Sequence, residues 1–289
     1  MGFKLITDNT ADLPMSYMEE HQIGLFTLPC TIDGVTYDEN NSLDSKVFFD
    51  KMRNGSMPTT SQLNPEQAKT RLEEYIAEGY KEILYLAFSS GLSGTYNSAR
   101  IAAEEIMSEH SEVNIQVVDT LCASLGEGLL VYLTVEEMKK GKSMEEVISF
   151  VQETIPHVIH VFTVDDLNHL HRGGRVSKAT AVIGTLANIK PILHVDDEGH
   201  LTALTKIRGR KKSLTTLVDI MEKSMGSYKE KNGIFMITHG DCEEDARFLA
   251  DAITKRFGME DCIINPLGAT IGAHTGPGLI ALFFLGDAR

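Results

Sequence analysis

A hydroxyl-rich loop, Ser89–Thr95, lies between a predicted strand at Ile83–Phe88 and a predicted helix at Thr95–Ser108. Its two glycines let main-chain N–H groups approach a ligand closely, and the N-terminus of the following helix favours an anion. The hydroxyl of Ser93 adds a hydrogen-bond donor. A competing interpretation is a turn whose hydroxyls only cap the helix. The loop alone therefore predicts either an anion site or a capped turn.

Two other loops carry residues suited to binding. Thr59–Gln62 precedes a predicted helix at Pro65–Glu78, which Asn64 is expected to cap. Capping alone does not require three consecutive hydroxyls. Gly268–Gly278 holds His274 among four glycines, and a histidine in such a flexible predicted loop is a candidate for binding. Both loops are therefore candidate binding segments.

Arg175 follows a predicted helix end at Leu170–Gly174, where glycines and basic residues suit a helix C-terminus. Its guanidinium is a candidate partner for a carboxylate or a phosphate. The acidic and histidine residues nearby, between positions 165 and 171, follow no recognised ligand spacing. The sequence therefore predicts no metal site.

Three motifs that mark known enzyme and nucleotide-binding classes are absent or incomplete in the sequence. Gly91–Thr95 has Thr where a nucleophile elbow, G-x-S-x-G, requires its last Gly. No segment matches the phosphate-binding loop G-x-x-x-x-G-K-[ST], and Gly126–Gly128 offers only half of a dinucleotide fingerprint inside a helical pattern, which indicates packing. No cofactor is therefore expected.

A basic cluster at Lys206–Lys212 interrupts an acidic chain. Such a run is usually the solvated start of a helix. Arg208, Arg210 and Lys211 are also candidates for docking an acidic partner or an anionic membrane surface. Both interpretations stay open.

The chain has 289 residues, 42% of them apolar, with 27 basic and 41 acidic side chains and a formal net charge of −14. At roughly 100–200 residues per domain, this length predicts two domains. The acidic balance argues against a nucleic-acid partner, since phosphates require clustered Lys and Arg. Four dispersed cysteines without a C-x-x-C pair predict buried reduced thiols. Without a signal-peptide pattern or a long apolar span, a cytoplasmic location is expected.

Alternating strand and helix patterns in the first half predict an α/β fold with a mostly parallel sheet. The strands predicted there are Lys4–Thr7, Leu25–Ile32, Ile83–Phe88 and Val113–Asp119. Ligands of such sheets usually lie beyond the carboxyl ends of the strands. The pattern changes near Pro156, and a hairpin is predicted at Ile192–Ile207. The expected domains are residues 1–157 and 158–289.

Together, these segments resemble the DegV family of fatty-acid-binding proteins along essentially the whole chain. The motifs that carry the resemblance stand in family order at Thr7–Pro14, Thr59–Gln62, Ser89–Ser98, Asp166–Leu167, Gly173–Arg175, Lys190–Leu193 and His274–Gly278. Their combination is highly specific, whereas each motif alone is weak. Asn9 stands where the family often has Ser, which affects one local hydrogen bond.

The resemblance implies two α/β domains, the first with a mostly parallel Rossmann-like sheet and the second with a mixed sheet. One long-chain fatty acid is expected in a tunnel between them, held mainly by its tail at about 0.8 kcal/mol per buried CH₂. By the same resemblance, the groups that meet its carboxylate are those of Thr60 or Ser61, Ser93, Gly94 and His274, with Arg175 as a neighbouring cation.

The resemblance also implies a binding subunit rather than an enzyme. It would present the carboxylate to a separate ATP-dependent fatty-acid kinase, giving acyl phosphate for phospholipid synthesis. The basic cluster is expected to dock the kinase or to touch a membrane transiently, and Thr185–Ile189 to form an apolar lid. Two alternatives stay open: an autonomous serine esterase or thioesterase using Ser93 with His274, and a lipid sensor acting through a protein partner.

Overall fold

The computed structural model describes residues 2–177 and 188–289. In these ranges the strands are β1 Lys4–Asp8, β2 Gly24–Phe26, β3 Cys30–Ile32, β4 Val35–Tyr37, β5 Thr59–Thr60, β6 Glu82–Ala87, β7 Asn114–Asp119, β8 Val158–Thr163, β9 Ile189–Val195, β10 Leu201–Arg208, β11 Phe235–His239, β12 Cys262–Pro266 and β13 Ile280–Leu285. The α-helices are α1 Met15–Glu20, α2 Ser45–Arg53, α3 Pro65–Ala77, α4 Thr95–Glu109, α5 Leu125–Lys139, α6 Met144–Thr154, α7 Asn168–Arg172, α8 Arg210–Ser224, α9 Glu243–Phe257 and α10 Ala269–Thr275. Short 3₁₀ helices occupy Asn9–Ala11, Ile155–His157 and Gly226–Tyr228.

Four parallel strands form the first sheet, in the order β2-β1-β6-β7. After its first residue β6 is buried throughout, as expected for a parallel strand that is covered on both faces. The predicted parallel sheet is confirmed, and β6 and β7 lie within one residue of the predicted bounds. The helix predicted after Asn64 is also confirmed: the Asn64 side chain accepts a hydrogen bond of 2.8 Å from the Gln67 N–H.

The single strand predicted at Leu25–Ile32 is wrong. The segment forms β2 in the first sheet and β3 in a separate three-stranded sheet of order β4-β3-β5. Pro29 lies in the gap between the two strands and has no N–H to donate to a sheet. The break redirects the chain, so that β3 pairs with β5 and fixes the position of Thr60.

The second sheet has six strands, in the order β10-β9-β8-β13-β11-β12, and only the β11–β12 pair is parallel. The predicted hairpin is confirmed as β9 and β10. The inner strand β13 is not among the strands predicted from the sequence, because a short apolar run without alternation does not distinguish a strand from a helix. All of β13 except Leu285 is buried.

Helix α5 lies between the two sheets. Its residues from Leu125 to Val131 are all buried, and it contacts β6 of the first sheet as well as β8, β11 and β13 of the second. The largest core cluster accordingly includes side chains from both sheets. No helix in the described ranges is long and apolar enough to cross a membrane.

Candidate functional site

A cavity of about 230 Å³ lies between the first and second sheets. Most of its lining is apolar and includes Leu28, Phe88, Leu92, Phe162, Leu170 and Phe283. The residues predicted to meet a carboxylate also line it, namely Thr60, Ser61, Ser93, Gly94, Arg175 and His274. The fold thus brings all three candidate loops and Arg175 to one cavity.

His274 lies on α10, within the segment Gly268–Gly278 that the sequence predicted to be a flexible loop. That prediction is wrong, because residues Ala269–Thr275 form a helix. Gly272 lies inside this helix because the Phe48 ring occupies the space that a side chain would need. A Cβ at Gly272 would lie 2.8 Å from Phe48 Cε1. Tertiary packing therefore explains a glycine that local propensity assigns to a loop.

The His274 imidazole is hydrogen-bonded and neutral. Its Nε2 atom lies 2.7 Å from Oγ1 of Thr60. Burial, with a smaller contribution from the Arg175 charge, lowers the pKa of His274 to about 4. At pH 7 the ring therefore contributes hydrogen bonds to the site without a net charge.

The Ser93 hydroxyl lies at the N-terminus of α4. Its Oγ is 2.9 Å from Oγ1 of Thr95 and accepts a 3.2 Å hydrogen bond from the Thr95 N–H. The N-cap residue of α4 is Gly94, which supplies no side-chain cap, so the Ser93 hydroxyl satisfies only the first N–H of the helix and also lines the cavity. Gly94 is closely packed, because a Cβ there would overlap Oε1 of Gln62. The absence of a side chain on Gly94 keeps the main chain next to the cavity.

Arg175 holds the main chain of two segments. Its Nε and one terminal nitrogen donate to the Leu92 carbonyl at 3.2 and 3.1 Å, and its other terminal nitrogen donates to the Gly173 carbonyl. Burial lowers the pKa of the guanidinium from its ordinary value, yet the group stays charged at neutral pH. All of these hydrogen bonds go to carbonyl oxygens, and no carboxylate among the described residues pairs with Arg175. The positive charge of Arg175 is therefore available to a carboxylate bound in the cavity.

The polar groups form a contiguous cluster that reaches the surface. Ser61 and Gln62 are exposed, whereas Thr60, Ser93 and Arg175 are half-buried. The Ser61 N–H donates to the Pro29 carbonyl at 3.0 Å, which fixes the main chain at the rim. We define the polar cluster as Thr60, Ser61, Gln62, Ser93, Gly94, Arg175 and His274.

An esterase pair between Ser93 and His274 is not formed. Among the described residues, the hydroxyl of Ser93 is hydrogen-bonded to Thr95, and the ring of His274 is hydrogen-bonded to Thr60. The charge that shifts the pKa of His274 is the Arg175 cation, not a carboxylate. A nucleophilic serine requires a base in contact and, in the triad form, an acid that orients this base.

A second set of polar residues on the cavity wall, Ser124, His160 and Thr238, was not predicted from the sequence. The segments that contain these residues have apolar patterns, and the three side chains become neighbours only when the two sheets pack together around α5. Gly126 gives one sequence signal for this wall, because its place inside a helical pattern indicates a packing glycine. The structure confirms this, because a Cβ at Gly126 would overlap the His160 ring.

The three docking candidates of the basic cluster differ in exposure and in their contacts. Arg208 and Lys211 are exposed, and Lys211 lies over the ring of Phe248 at 5.3 Å. Arg210 is partly buried and donates to Asp245 at 2.8 Å. Its charge is therefore largely compensated within the protein, which leaves Arg208 and Lys211 as the accessible cations of the three docking candidates.

Two other expectations concern the lid and metals. The predicted lid, Thr185–Ile189, falls mainly on residues 178–187, which lie outside the described part of the chain. Within the described residues, no group of three or more His, Cys, Asp or Glu side chains is placed to hold a metal ion.

Fold and cavity define a class of protein: two α/β sheet layers with a mostly apolar cavity between them, into which hydroxyl, imidazole and guanidinium groups also face. The family model described as "Uncharacterised protein, DegV family" matches residues 2–287. The chain belongs to the DegV family.

Relatives match over nearly their whole lengths. A DegV domain-containing protein of Clostridium perfringens is 45% identical, covering 99% of this chain and 98% of the relative. A solved DegV family structure from Thermus thermophilus, described by its fatty-acid binding, has 31% identity and a TM-score of 0.85, covering 99% and 100% of the two chains. The structure of DegV from Bacillus subtilis, described as a fatty-acid-binding protein, has 30% identity and a TM-score of 0.84, also covering 99% and 100%.

Proposed function

We propose that this protein binds one long-chain fatty acid, with the carboxylate at the polar cluster and the acyl tail in the apolar cavity. The observation that carries the proposal is the composition of the cavity: most of its lining is apolar, and the polar cluster supplies it with hydroxyls, an imidazole and the cation Arg175. Two solved relatives at 30% and 31% identity are described as binding fatty acids, which supports the same ligand class here.

The electrostatics of the polar cluster suit a carboxylate. Arg175 supplies a positive charge, and neutral His274 together with Thr60 supplies hydrogen bonds. A buried carboxylate is costly unless it is paired and hydrogen-bonded. The Arg175 cation is therefore expected to contribute most of the preference for an acid over an uncharged lipid.

The tail supplies most of the affinity. Each buried CH₂ contributes about 0.8 kcal/mol, so a chain of a dozen or more methylenes outweighs the contribution of the head group. The head group instead determines orientation and chemical class. Acyl length is then set by the extent of the apolar wall.

We further propose that the protein presents the bound acid to a separate ATP-dependent kinase and has no catalytic activity of its own. A carboxylate oxygen attacks the γ-phosphorus of the partner's ATP, the bond from this phosphorus to the bridging oxygen breaks, and ADP leaves as acyl phosphate forms. The exposure of Ser61 and Gln62 supports the proposal, because it leaves the polar cluster within reach of a partner. A cytoplasmic location follows from this role, since the partner uses ATP.

Native mass spectrometry of freshly purified protein, followed by organic extraction, tests the binding proposal. One fatty acid per chain is the expected result. An empty protein that takes up no added fatty acid would contradict it. Incubation with a fatty-acid kinase and ATP then distinguishes the roles: acyl phosphate is expected of a kinase subunit, whereas ligand-dependent capture of another protein without turnover would favour a sensor.

For docking, we propose that Arg208 and Lys211 face the kinase or an anionic membrane. Reversing both charges, Arg208→Glu with Lys211→Glu, is expected to weaken kinase binding or association with anionic vesicles. Lys229→Glu with Lys231→Glu provides a matched control, because these lysines are also exposed. Unchanged binding of both kinase and vesicles would reject this role.

A further inference from the structure

The end of β1 and the turn that follows it, residues Asp8–Asp12, are hydrogen-bonded to the segments that lead into the Ser93 loop, the Thr60 sheet and the His274 helix. The buried Asp8 carboxylate accepts a 3.1 Å hydrogen bond from the Phe88 N–H, at the start of the Ser93 loop. The Asn9 side chain donates to the Leu28 carbonyl at 3.2 Å and accepts from the Leu28 N–H at 3.0 Å. Leu28 leads directly into the strand that positions Thr60.

Asp12 makes the contacts to the His274 helix. Its Oδ1 accepts from the Gly268 N–H at 2.8 Å, at the residue that precedes α10. Its main-chain carbonyl accepts from the Asn265 amide at 2.8 Å. Its Oδ2 accepts from the Ser124 hydroxyl at 2.6 Å. Asp12 therefore uses both carboxyl oxygens and its carbonyl to join two distant segments, the one at Asn265–Gly268 and the one at Ser124.

The Ser124 contact extends to the second sheet. Its Oγ lies 3.0 Å from Oγ1 of Thr238 on β11, and both residues line the cavity. Ser124 also has a φ of 54°, which is uncommon outside glycine, so its conformation depends on surrounding contacts. Asp12 thus connects the wall of the acyl cavity to the start of the His274 helix.

Helix α10 needs such an external contact. It has seven residues, and its N-cap is Gly268, which supplies no side-chain cap. Isolated helices of this length are unstable in water, so tertiary contacts must hold them. Asp12 provides one of these contacts with a buried carboxylate that is only 6% exposed.

We infer that Asp12 is a positioning residue for the carboxylate site: by binding the Gly268 N–H it fixes α10, and so places His274 beside Thr60. The inference rests on the proposed fatty-acid binding. Asp12 does not itself line the cavity, and Ser124, whose hydroxyl it also binds, has a second contact to Thr238 that does not depend on Asp12. The loss of Asp12 should therefore act mainly by misplacing His274. It should therefore affect recognition of the head group rather than of the tail.

A comparison of two ligands of equal chain length tests this. Dissociation constants for myristic acid and 1-tetradecanol are measured on the full, delipidated chain and its variants. Asp12→Ala is expected to weaken myristic acid about tenfold, the scale of one hydrogen bond to a charged group, and to leave 1-tetradecanol within about twofold. Asp12→Asn is expected to restore most of the acid affinity, because its Oδ1 still accepts from Gly268.

Ser143→Ala serves as the control. It removes a cap from α6, whose residues do not line the cavity in the described ranges, so it should lower Tm without changing the ratio of acid to alcohol affinity. Equal losses for acid and alcohol in Asp12→Ala, or no loss for the acid, would overturn the inference. So would a failure of Asp12→Asn to restore acid binding while it folds normally.

A ligand-independent measurement separates this inference from the proposed function. NMR titration of His274 in the lipid-free protein should show a pKa nearer its ordinary value in Asp12→Ala than in the wild type, because a displaced helix exposes the ring. An unchanged His274 titration would overturn the positioning role. A wild-type protein that binds neither lipid would instead contradict the proposed function, and the titration would still decide the role of Asp12.

Discussion

Nε2 of His274 lies 2.7 Å from Oγ1 of Thr60, a hydrogen bond that joins a helix of the second half of the chain to an edge strand of the first half. The contact closes one side of the cavity with a neutral ring, because burial lowers the pKa of His274 to about 4. A carboxylate bound there would receive hydrogen bonds from this pair and its main charge compensation from Arg175. In the polar cluster, Thr60 and His274 would therefore supply hydrogen bonds, and Arg175 would supply the charge.

Replacing His274 with Ala is expected to weaken fatty-acid binding about tenfold, because a carboxylate would lose a directed hydrogen bond in a partly buried site. Isothermal titration calorimetry on delipidated protein would measure the change. His110→Ala is the matched control, since this histidine is exposed and does not line the cavity. An equal effect of both substitutions would contradict a specific role for His274.

Ser93→Ala is expected to reduce acyl-phosphate production by a partner kinase at least tenfold, because it removes a hydroxyl beside the carboxylate and loosens the Ser93–Gly94 turn. Radiolabelled ATP with a fixed amount of fatty acid provides the assay. Ser90→Ala lies in the same loop but is exposed, and should leave turnover within about twofold. Full activity of Ser93→Ala with an intact kinase would exclude this role.

Arg175→Ala should act more strongly on acids than on alcohols, because the guanidinium is the charge near His274. It should also loosen the Leu92 segment, whose carbonyl loses two donors. Competition between a fatty acid and the corresponding alcohol for the cavity would measure the preference. If the preference for the acid survives in a folded Arg175→Ala variant, another cation must compensate the carboxylate.

Burial raises the pKa of Asp12 from 3.8 to about 7, with a smaller contribution from the Asp8 charge. Between these values the folded state binds more protons than the unfolded state, so the Asp12 contribution lowers the free energy of unfolding as the pH rises from about 4 to about 7. Asp12→Asn does not titrate. When the pH rises from 5 to 8, the free energy of unfolding of Asp12→Asn should therefore fall by about 3 kcal/mol less than that of the wild type, at 1.36 kcal/mol per pKa unit.

Urea unfolding at the two pH values would test this difference. Asp8 and Glu127 also have raised pKa values and remain in the variant, but both interact electrostatically with Asp12, so the comparison measures Asp12 together with its coupling to these two carboxyls. The same pH dependence in wild type and Asp12→Asn would show that Asp12 ionises in the folded protein as it does in the unfolded chain.

Local sequence was sufficient where apolar runs ended at clear turn signals. The strands β6 and β7 lie within one residue of their predicted bounds, and Asn64 caps α3 as expected. Local sequence was insufficient where tertiary contacts outweigh the secondary-structure propensity of individual residues. Gly272 lies inside α10 because aromatic rings occupy the space of a side chain, which no local pattern around His274 reveals.

The candidate site shows the same division. Hydroxyls and glycines between a strand and a helix indicated Ser93, and the fold brings it to the same cavity as His274. Ser124 and Thr238 went unnoticed because each lies in a segment with an apolar pattern. They become neighbours only when α5 packs against the second sheet, a relationship set by the whole topology.

Gly126→Ala tests how tightly that packing is specified. Its Cβ would overlap the His160 ring, which cannot move freely: Nε2 of His160 lies 3.2 Å from the Ala123 N–H, and Nδ1 lies 3.1 Å from the Val158 carbonyl. Overpacking of a buried site costs about 1–3 kcal/mol, and the direct overlap with a buried, hydrogen-bonded ring favours the upper end of that range. Ala gains roughly 1 kcal/mol in helix propensity over Gly, so the substitution should lower the free energy of unfolding by about 2 kcal/mol.

The matched control is Gly233→Ala, because a Cβ there would meet no atom within 4 Å. Denaturant unfolding would measure both variants, and His160 NMR resonances would report a displaced ring only in Gly126→Ala. Because His160 lines the cavity, its displacement should also weaken fatty-acid binding. A Gly126→Ala protein as stable as the wild type would mean that α5 and β8 can separate without cost, and the cavity wall would then be adaptable rather than fixed.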